Sequence, residues 1–120
     1  MTTQQRGKVF MVLSVLWTIL TLFALLAPRG AVHIEKSFFI PGMDKIAHFI
    51  LFAVWFFLVA MAFRTKQKSM SAQMLFVIFS FIAPSTEVIQ IFIEGRSFDW
   101  NDLLANMLGL IVGLLIYRRV

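Results

Sequence analysis

Four apolar stretches separated by polar loops dominate the pattern of this chain. They cover residues 9–27, 46–63, 72–93 and 102–117. Three are about as long as a helix that crosses the hydrocarbon core of a bilayer, and the fourth is slightly shorter. The pattern therefore predicts an all-α, polytopic membrane bundle of four transmembrane helices, forming a single domain over residues 1–120.

The first and third stretches need separate interpretation. Arg6 and Lys8 precede the first stretch, as basic residues precede the apolar core of a secretory signal peptide. That stretch is longer than a usual signal core, and Pro28 follows it directly, so we expect a retained membrane anchor. In the third stretch, Pro84 removes a backbone donor and predicts a kink.

Composition strengthens the membrane interpretation. Hydrophobic residues make up 60% of the chain and charged residues only 14%. A soluble domain of this size could not bury so much apolar surface. The net charge of +5 comes from short basic clusters beside apolar stretches, a pattern typical of topology signals rather than of nucleic-acid binding. Cysteine is absent, which excludes disulfides and thiol nucleophiles.

The charged residues also predict an orientation. With a cytoplasmic N-terminus, the inner side holds only basic residues, as the positive-inside rule favours: Arg6, Lys8, Arg64, Lys66, Lys68, Arg118 and Arg119. The outer side then holds every acidic residue: Glu35, Asp44, Glu87, Glu94, Asp99 and Asp102. We expect a multi-pass protein of the bacterial cytoplasmic membrane with both termini in the cytoplasm.

Helical spacing places the polar residues of the last three stretches on shared faces near the outer surface. Residues three or four positions apart lie on one side of a helix. The sets that share a face are Asp44 with His48, Glu87 with Gln90, and Asp99 with Asp102 and Asn106. Glu87 lies inside an apolar stretch, where a charge costs roughly 2.5–3.5 kcal/mol on insertion scales. We therefore expect an outward-open polar pocket, with Lys45 and Arg96 as its cations.

Small residues continue the polar face of the fourth stretch. Gly109 and Gly113 form a GxxxG pattern, and Ala105 precedes them at the same spacing. Such spacing lets helix backbones approach closely. It predicts either close packing inside the bundle or a homo-oligomer contact through the two glycines.

Two blocks of polar and glycine positions stand in a recognisable order. The first is DKIAHF at residues 44–49, and the second comprises Glu87, Gln90, Gly95, Arg96, Asp99, Asp102, Asn106, Gly109 and Gly113. Together they resemble the signature blocks of the VanZ-like membrane protein family. The motif positions span over half of the chain. The resemblance implies a small polytopic bacterial membrane protein, and the founding member of that family is associated with low-level resistance to the glycopeptide teicoplanin.

We favour a protein that engages a lipid-linked or lipophilic envelope molecule in the outer pocket. Membrane lipids and a lipid-linked envelope precursor are then its expected partners, and nucleic acid is not. The polar groups expected to bind are Lys45, Gln90, Arg96, Asp99 and Asn106. The aromatic residues expected to form the rim are Phe38, Phe39, Phe98 and Trp100.

Two alternatives remain open from the sequence. The first is a membrane-interface enzyme with Glu87 as general base and His48 as proton donor, supported by Asp44 and Asp102, acting on a lipid headgroup. The second is a structural bundle in which the same polar groups only hold the helices together. Asp44, His48, Glu87 and Asp102 are also possible ligands of a divalent ion, but no metal-binding spacing such as HxxxH or HExxH is present. We expect no metal and no cofactor.

Overall fold

Within residues 1–27, 43–64 and 71–120, which are those that the computed structural model describes, the chain forms four α-helices. Their bounds are α1 Thr3–Leu26, α2 Met43–Arg64, α3 Ala72–Gln90 and α4 Trp100–Arg119. All four are long and apolar enough to cross a membrane. The predicted all-α membrane bundle is confirmed. The assignment of all 120 residues to a single domain stays a prediction.

Three helices, α1, α2 and α4, begin earlier than the apolar stretches predict, and polar residues cap α1 and α4. Thr2 precedes α1, and its hydroxyl accepts a hydrogen bond from the backbone of Gln5, whose side chain accepts from the backbone of Thr2 in return. This capping box satisfies amide groups that a helix start leaves without partners. At α4, the carboxylate of Asp99 accepts from the backbone of Asn101, so this helix begins at Trp100 rather than residue 102.

Helix α3 ends at Gln90, earlier than the predicted residue 93. The backbone amides of residues 91–93 bond to carbonyls three positions back, which tightens the chain into a turn. Gly95 follows with a φ of 75°, a conformation that favours glycine. Pro84 lies inside α3, and the α-helix continues through it. The turn returns the chain toward the start of α4.

The packing of α2 against α4 is the most extensive helix pair among the described residues. A Cβ atom added to Gly113 would lie 2.6 Å from the carbonyl oxygen of Ala53, and one added to Gly109 would lie even closer to that of Phe49. Only glycine permits this approach of the two backbones. The GxxxG pattern thus packs α4 within its own bundle, and a homo-oligomer through these glycines stays a prediction.

Helix α1 packs on α2 through specific polar contacts as well as apolar ones. The indole of Trp17 donates to the carbonyl of Leu51 at 3.0 Å, and the indole of Trp55 donates to the hydroxyl of Thr18 at 2.8 Å. The other side of α1 exposes large apolar side chains that suit contact with lipid, such as Ile19. These contacts favour a retained anchor, which stays a prediction.

Candidate functional site

The start of α2, the end of α3 and the start of α4 meet at one end of the bundle. Lys45 lies at the centre of this meeting. Its ammonium group is 2.8 Å from a carboxylate oxygen of Asp44, 2.6 Å from one of Asp99 and 2.6 Å from one of Asp102. Asp44 and Lys45 belong to the first turn of α2 rather than to the preceding loop. One cation therefore joins two helices through three carboxylates.

Below Lys45, four polar side chains from α2, α3 and α4 form a buried set that we term the inner cluster: His48, Glu87, Asp102 and Asn106. The Nδ1 atom of His48 is 2.8 Å from Oδ1 of Asn106 and 3.9 Å from Oε1 of Glu87. Its Nε2 atom is 3.5 Å from Oδ2 of Asp102. The structure thus brings these predicted site residues together.

Three buried side-chain atoms of the inner cluster have no hydrogen-bond partner: Oδ1 of Asp102, Oε1 of Glu87 and Nδ2 of Asn106. Oδ1 of Asp102 instead forms an ion pair with the ammonium of Lys45. Glu87 and Asn106 both have 0% of their surface exposed. The other carboxylate oxygen of Glu87 accepts a hydrogen bond of 3.3 Å from the backbone of Asp99. A buried polar group without a partner costs free energy, so its presence marks a place where a proton, ion or ligand would be stabilising.

The outer part of the site is less buried and is rich in carboxylates. The side chains of Asp44 and Asp99 are 43% and 37% exposed, and that of Lys45 is 32% exposed. The ammonium of Lys45, which donates to Asp99, holds the pKa of that carboxyl below its ordinary value, and a hydrogen bond from the backbone of Asn101 acts in the same direction. Asp99 is therefore an anion at neutral pH, with Oδ1 accepting from the backbone of Asn101 and Oδ2 accepting from Lys45.

Gln90 and Arg96, predicted as binding residues, contact the end of α1 instead of the inner cluster. The amide of Gln90 donates to the carbonyl of Leu25 at 2.8 Å. The guanidinium of Arg96 donates to the carbonyls of Ala24 and Ala27 at 2.8 and 3.1 Å. The last carbonyls of a helix have no partner within it, so these side chains stabilise the end of α1. A role for Gln90 and Arg96 as binding residues stays a prediction.

Part of the predicted rim can be placed. The rings of Phe98 and Trp100 meet edge to face with centroids 4.9 Å apart, and Trp100 is 73% exposed. Glu94 is exposed beyond the end of α3. The predicted rim residues Phe38 and Phe39, the acidic Glu35 and the basic Lys66 and Lys68 lie outside the described residues.

Buried polar residues of α1 were not singled out from the sequence. Thr21 is fully buried, and its hydroxyl has no hydrogen-bond partner. Ser14 is also buried and donates to the carbonyl of Met11 at 2.8 Å. Their signal in the sequence is a hydroxyl at an inward position of an otherwise apolar stretch. Neither residue belongs to the inner cluster.

The inner cluster combines an imidazole and two carboxylates, a set that can exchange protons with a bound group or hold a cation. His48, Glu87 and Asp102 each offer one ligand atom, and the three atoms lie within 4.8 Å of one another. Because this end of the bundle holds four carboxylates, those of Asp44, Glu87, Asp99 and Asp102, against the single ammonium of Lys45, it attracts cations and hydrogen-bond donors more than bare anions.

The chain was compared with known families, curated proteins and solved structures. The model of the VanZ/LLP1 family matches residues 3–120. No curated protein and no solved structure matches.

Proposed function

Since the chain belongs to the VanZ/LLP1 family, we propose that it engages a lipid-linked or lipophilic molecule of the cell envelope. The observation that carries the proposal is the concentration of ionisable side chains from three apolar helices at one end of the bundle. Ionisable residues within membrane spans are rare and mark functional sites more often than packing sites. A bundle held together by polar contacts alone would need fewer of them.

The proposal includes a location for this end. In a bacterial cytoplasmic membrane with both termini inside, the positive-inside rule directs Arg6, Lys8 and Arg64 to the cytoplasm, together with Arg118 and Arg119. The inner cluster then lies at the outer leaflet, at the depth of lipid headgroups. An amphiphile could reach it by lateral diffusion, with its tails along the exposed apolar faces of the helices.

The charges of the outer part of the site support a headgroup that offers hydrogen-bond donors. Lys45 is already shared by three carboxylates, so it offers little to a bare phosphate. The side chains of Asp44 and Asp99 are partly exposed, and each carboxylate oxygen has lone pairs for a further hydrogen bond. A headgroup with hydroxyl or amine donors fits this surface, as in a lipid-linked sugar. Trp100 is exposed beside it and suits stacking on a sugar ring or insertion at the interface.

Photo-crosslinking tests the location of binding. Two amphiphiles with the same diazirine-bearing chain, one with a sugar headgroup and one with a phosphate alone, are irradiated with the protein in nanodiscs. We expect the sugar amphiphile to crosslink preferentially near Phe98 and Trp100, as located by peptide mass spectrometry. Uniform labelling along the exposed face of α1, equal for both amphiphiles, would contradict the proposal and favour a structural bundle without a ligand.

A second candidate function is acid–base chemistry on the bound headgroup. The observation that favours it is the unpartnered Oε1 of Glu87 beside the imidazole of His48, at 3.9 Å from Nδ1. Such a pair can accept and return a proton during hydrolysis or transfer. The test compares envelope lipids by mass spectrometry in cells with the wild-type gene, a deletion, and Glu87→Gln. Identical lipid profiles in the three strains would refute this function.

The same site could take a lipophilic glycopeptide, which would connect the chain to teicoplanin resistance. Teicoplanin offers both a lipophilic part and hydrogen-bond donors of the kind described above. We propose that expression of the chain in a susceptible host raises the inhibitory concentration of teicoplanin, and that Asp44→Asn lowers the effect. An inhibitory concentration unchanged by expression of the wild-type chain would remove this part of the proposal.

A further inference from the structure

We propose that His48, Glu87 and Asp102 bind one divalent transition-metal ion, for which Zn²⁺ is the best match. Each residue comes from a different helix, α2, α3 or α4, and each is buried. Their three ligand atoms already lie within 4.8 Å of one another. Zinc holds its nitrogen and oxygen ligands at about 2.0–2.2 Å, so small side-chain rotations bring all three into its coordination shell.

The hydrogen bonding of His48 leaves a gap that a cation would fill. Oδ1 of Asn106 is an acceptor, so the Nδ1 atom that lies 2.8 Å from it carries the proton. In the neutral imidazole, Nε2 then presents a lone pair, and it faces Oδ2 of Asp102 at 3.5 Å. Two acceptors that face each other in a buried site repel unless a positive centre lies between them.

Glu87 gives a second and independent indication. One of its carboxylate oxygens accepts from the backbone of Asp99, whereas Oε1 has no partner although the residue is completely buried. This oxygen lies 3.9 Å from Nδ1 of His48, so it borders the same imidazole whose Nε2 faces Asp102. A metal ion would bind the one polar atom of Glu87 that the protein leaves unsatisfied.

The ligand types select the class of metal. One imidazole and two carboxylates suit zinc or a neighbouring divalent transition metal, whereas calcium and magnesium prefer oxygen ligands alone. Asn106 would act as an orienting residue, since its oxygen fixes the tautomer and the angle of the His48 ring. Three protein ligands leave a fourth position for water or a ligand.

This inference revises the expectation of no metal, which rested on the absence of a local motif. The ligands come from three helices, so no short spacing in the sequence could reveal them. The metal site does not depend on the amphiphile proposed above, and it is tested without one.

Metal content and affinity test the inference on the full-length protein in detergent, purified by a tag without histidine. We expect about one Zn²⁺ per chain by elemental mass spectrometry and a dissociation constant measurable by competition with a zinc-binding dye. His48→Gln and Glu87→Gln should each weaken zinc binding at least about tenfold, because each removes a ligand. Glu94→Gln, which removes an exposed carboxylate just beyond α3, should leave the affinity unchanged.

X-ray absorption of the zinc-loaded wild-type protein keeps the inference falsifiable if the variants fail to fold. The chain has two histidines, and we expect nitrogen and oxygen scatterers with a single imidazole. A spectrum without imidazole, or with two, would overturn the assignment. Wild-type zinc affinity in both His48→Gln and Glu87→Gln would also overturn the assignment. A wild-type protein that binds no zinc would overturn it too, and would mean that a proton rather than a metal ion bridges the inner cluster.

Discussion

Replacing Gly113 with alanine tests the close packing of α2 and α4. The new methyl carbon would lie 2.6 Å from the carbonyl oxygen of Ala53 and 3.4 Å from its carbonyl carbon. Carbon–oxygen contacts of this type are comfortable from about 3.3 Å. The helices would therefore have to separate locally by about 0.7 Å, because the obstructing atoms are backbone and cannot rotate away.

The size of the effect follows from two opposing contributions. Overpacking of this kind costs about 1–3 kcal/mol. The gain in helix propensity from glycine to alanine returns about 1 kcal/mol. We expect Gly113→Ala to lower the free energy of unfolding by about 1 kcal/mol, and Gly109→Ala to lower it by about 2 kcal/mol, since its Cβ would lie closer to a carbonyl oxygen.

Unfolding in mixed micelles with increasing sodium dodecyl sulfate, followed by circular dichroism, measures these differences. Gly7→Ala is the matched control, because Gly7 lies in α1, outside the α2–α4 contact, and reports the propensity gain. If both glycine variants of α4 were stabilised as much as Gly7→Ala, the backbone contact would be refuted.

Three further predictions concern the polar contacts and the orientation. Lys45→Met should lower the free energy of unfolding by about 2 kcal/mol. Removing one partner of a fully buried ion pair costs about 3–5 kcal/mol, and the loss is smaller here because Lys45 is partly exposed, although Asp102 is nearly buried. Lys45→Arg should retain most of the stability in the same unfolding assay, and an unchanged midpoint for Lys45→Met would contradict the charge pairing. Gln90→Leu should lower the free energy of unfolding by only about 0.6 kcal/mol, the average for an interhelical hydrogen bond in a membrane. A decrease above about 2 kcal/mol would mean that this amide does more than form one hydrogen bond between α3 and α1. The chain lacks cysteine, so a single introduced cysteine reports its own side of the membrane. Glu94→Cys should react with an impermeant maleimide on intact cells, and Thr3→Cys should react only after permeabilisation. The reverse pattern would mean that the orientation is inverted.

The fold was predictable where the length of an apolar stretch and the helix-breaking residues beside it determine a helix. Each of the four helices covers most of one apolar stretch, because a bilayer-spanning segment must satisfy its backbone internally. The early start of α1 was not predicted, although Thr2 and Gln5 have the spacing of a capping box and could have indicated it. The end of α3 was not, because the turn after Gln90 depends on hydrogen bonds that an apolar pattern does not report.

The candidate site was predictable only in part. Helical spacing correctly grouped the polar faces of the last three helices, and His48, Glu87 and Asn106 do meet. Spacing within one helix cannot tell which helix a long side chain reaches, so the contacts of Arg96 with the end of α1 were not foreseen. Lys45 was predicted as a cation of this pocket, but spacing within a helix could not indicate that it contacts three carboxylates at once.

The affinity of the protein for a sugar-bearing amphiphile tests the central claim most directly. The dissociation constant is measured in nanodiscs for the wild type, for Asp44→Asn at the exposed part of the site, and for Glu94→Gln as a control of equal charge change. Losing a charged hydrogen-bond acceptor costs about 1.5–3 kcal/mol, so Asp44→Asn should weaken binding by roughly tenfold or more. Glu94→Gln should bind like the wild type. Equal dissociation constants for all three proteins would contradict the claim that this end of the bundle is the binding site.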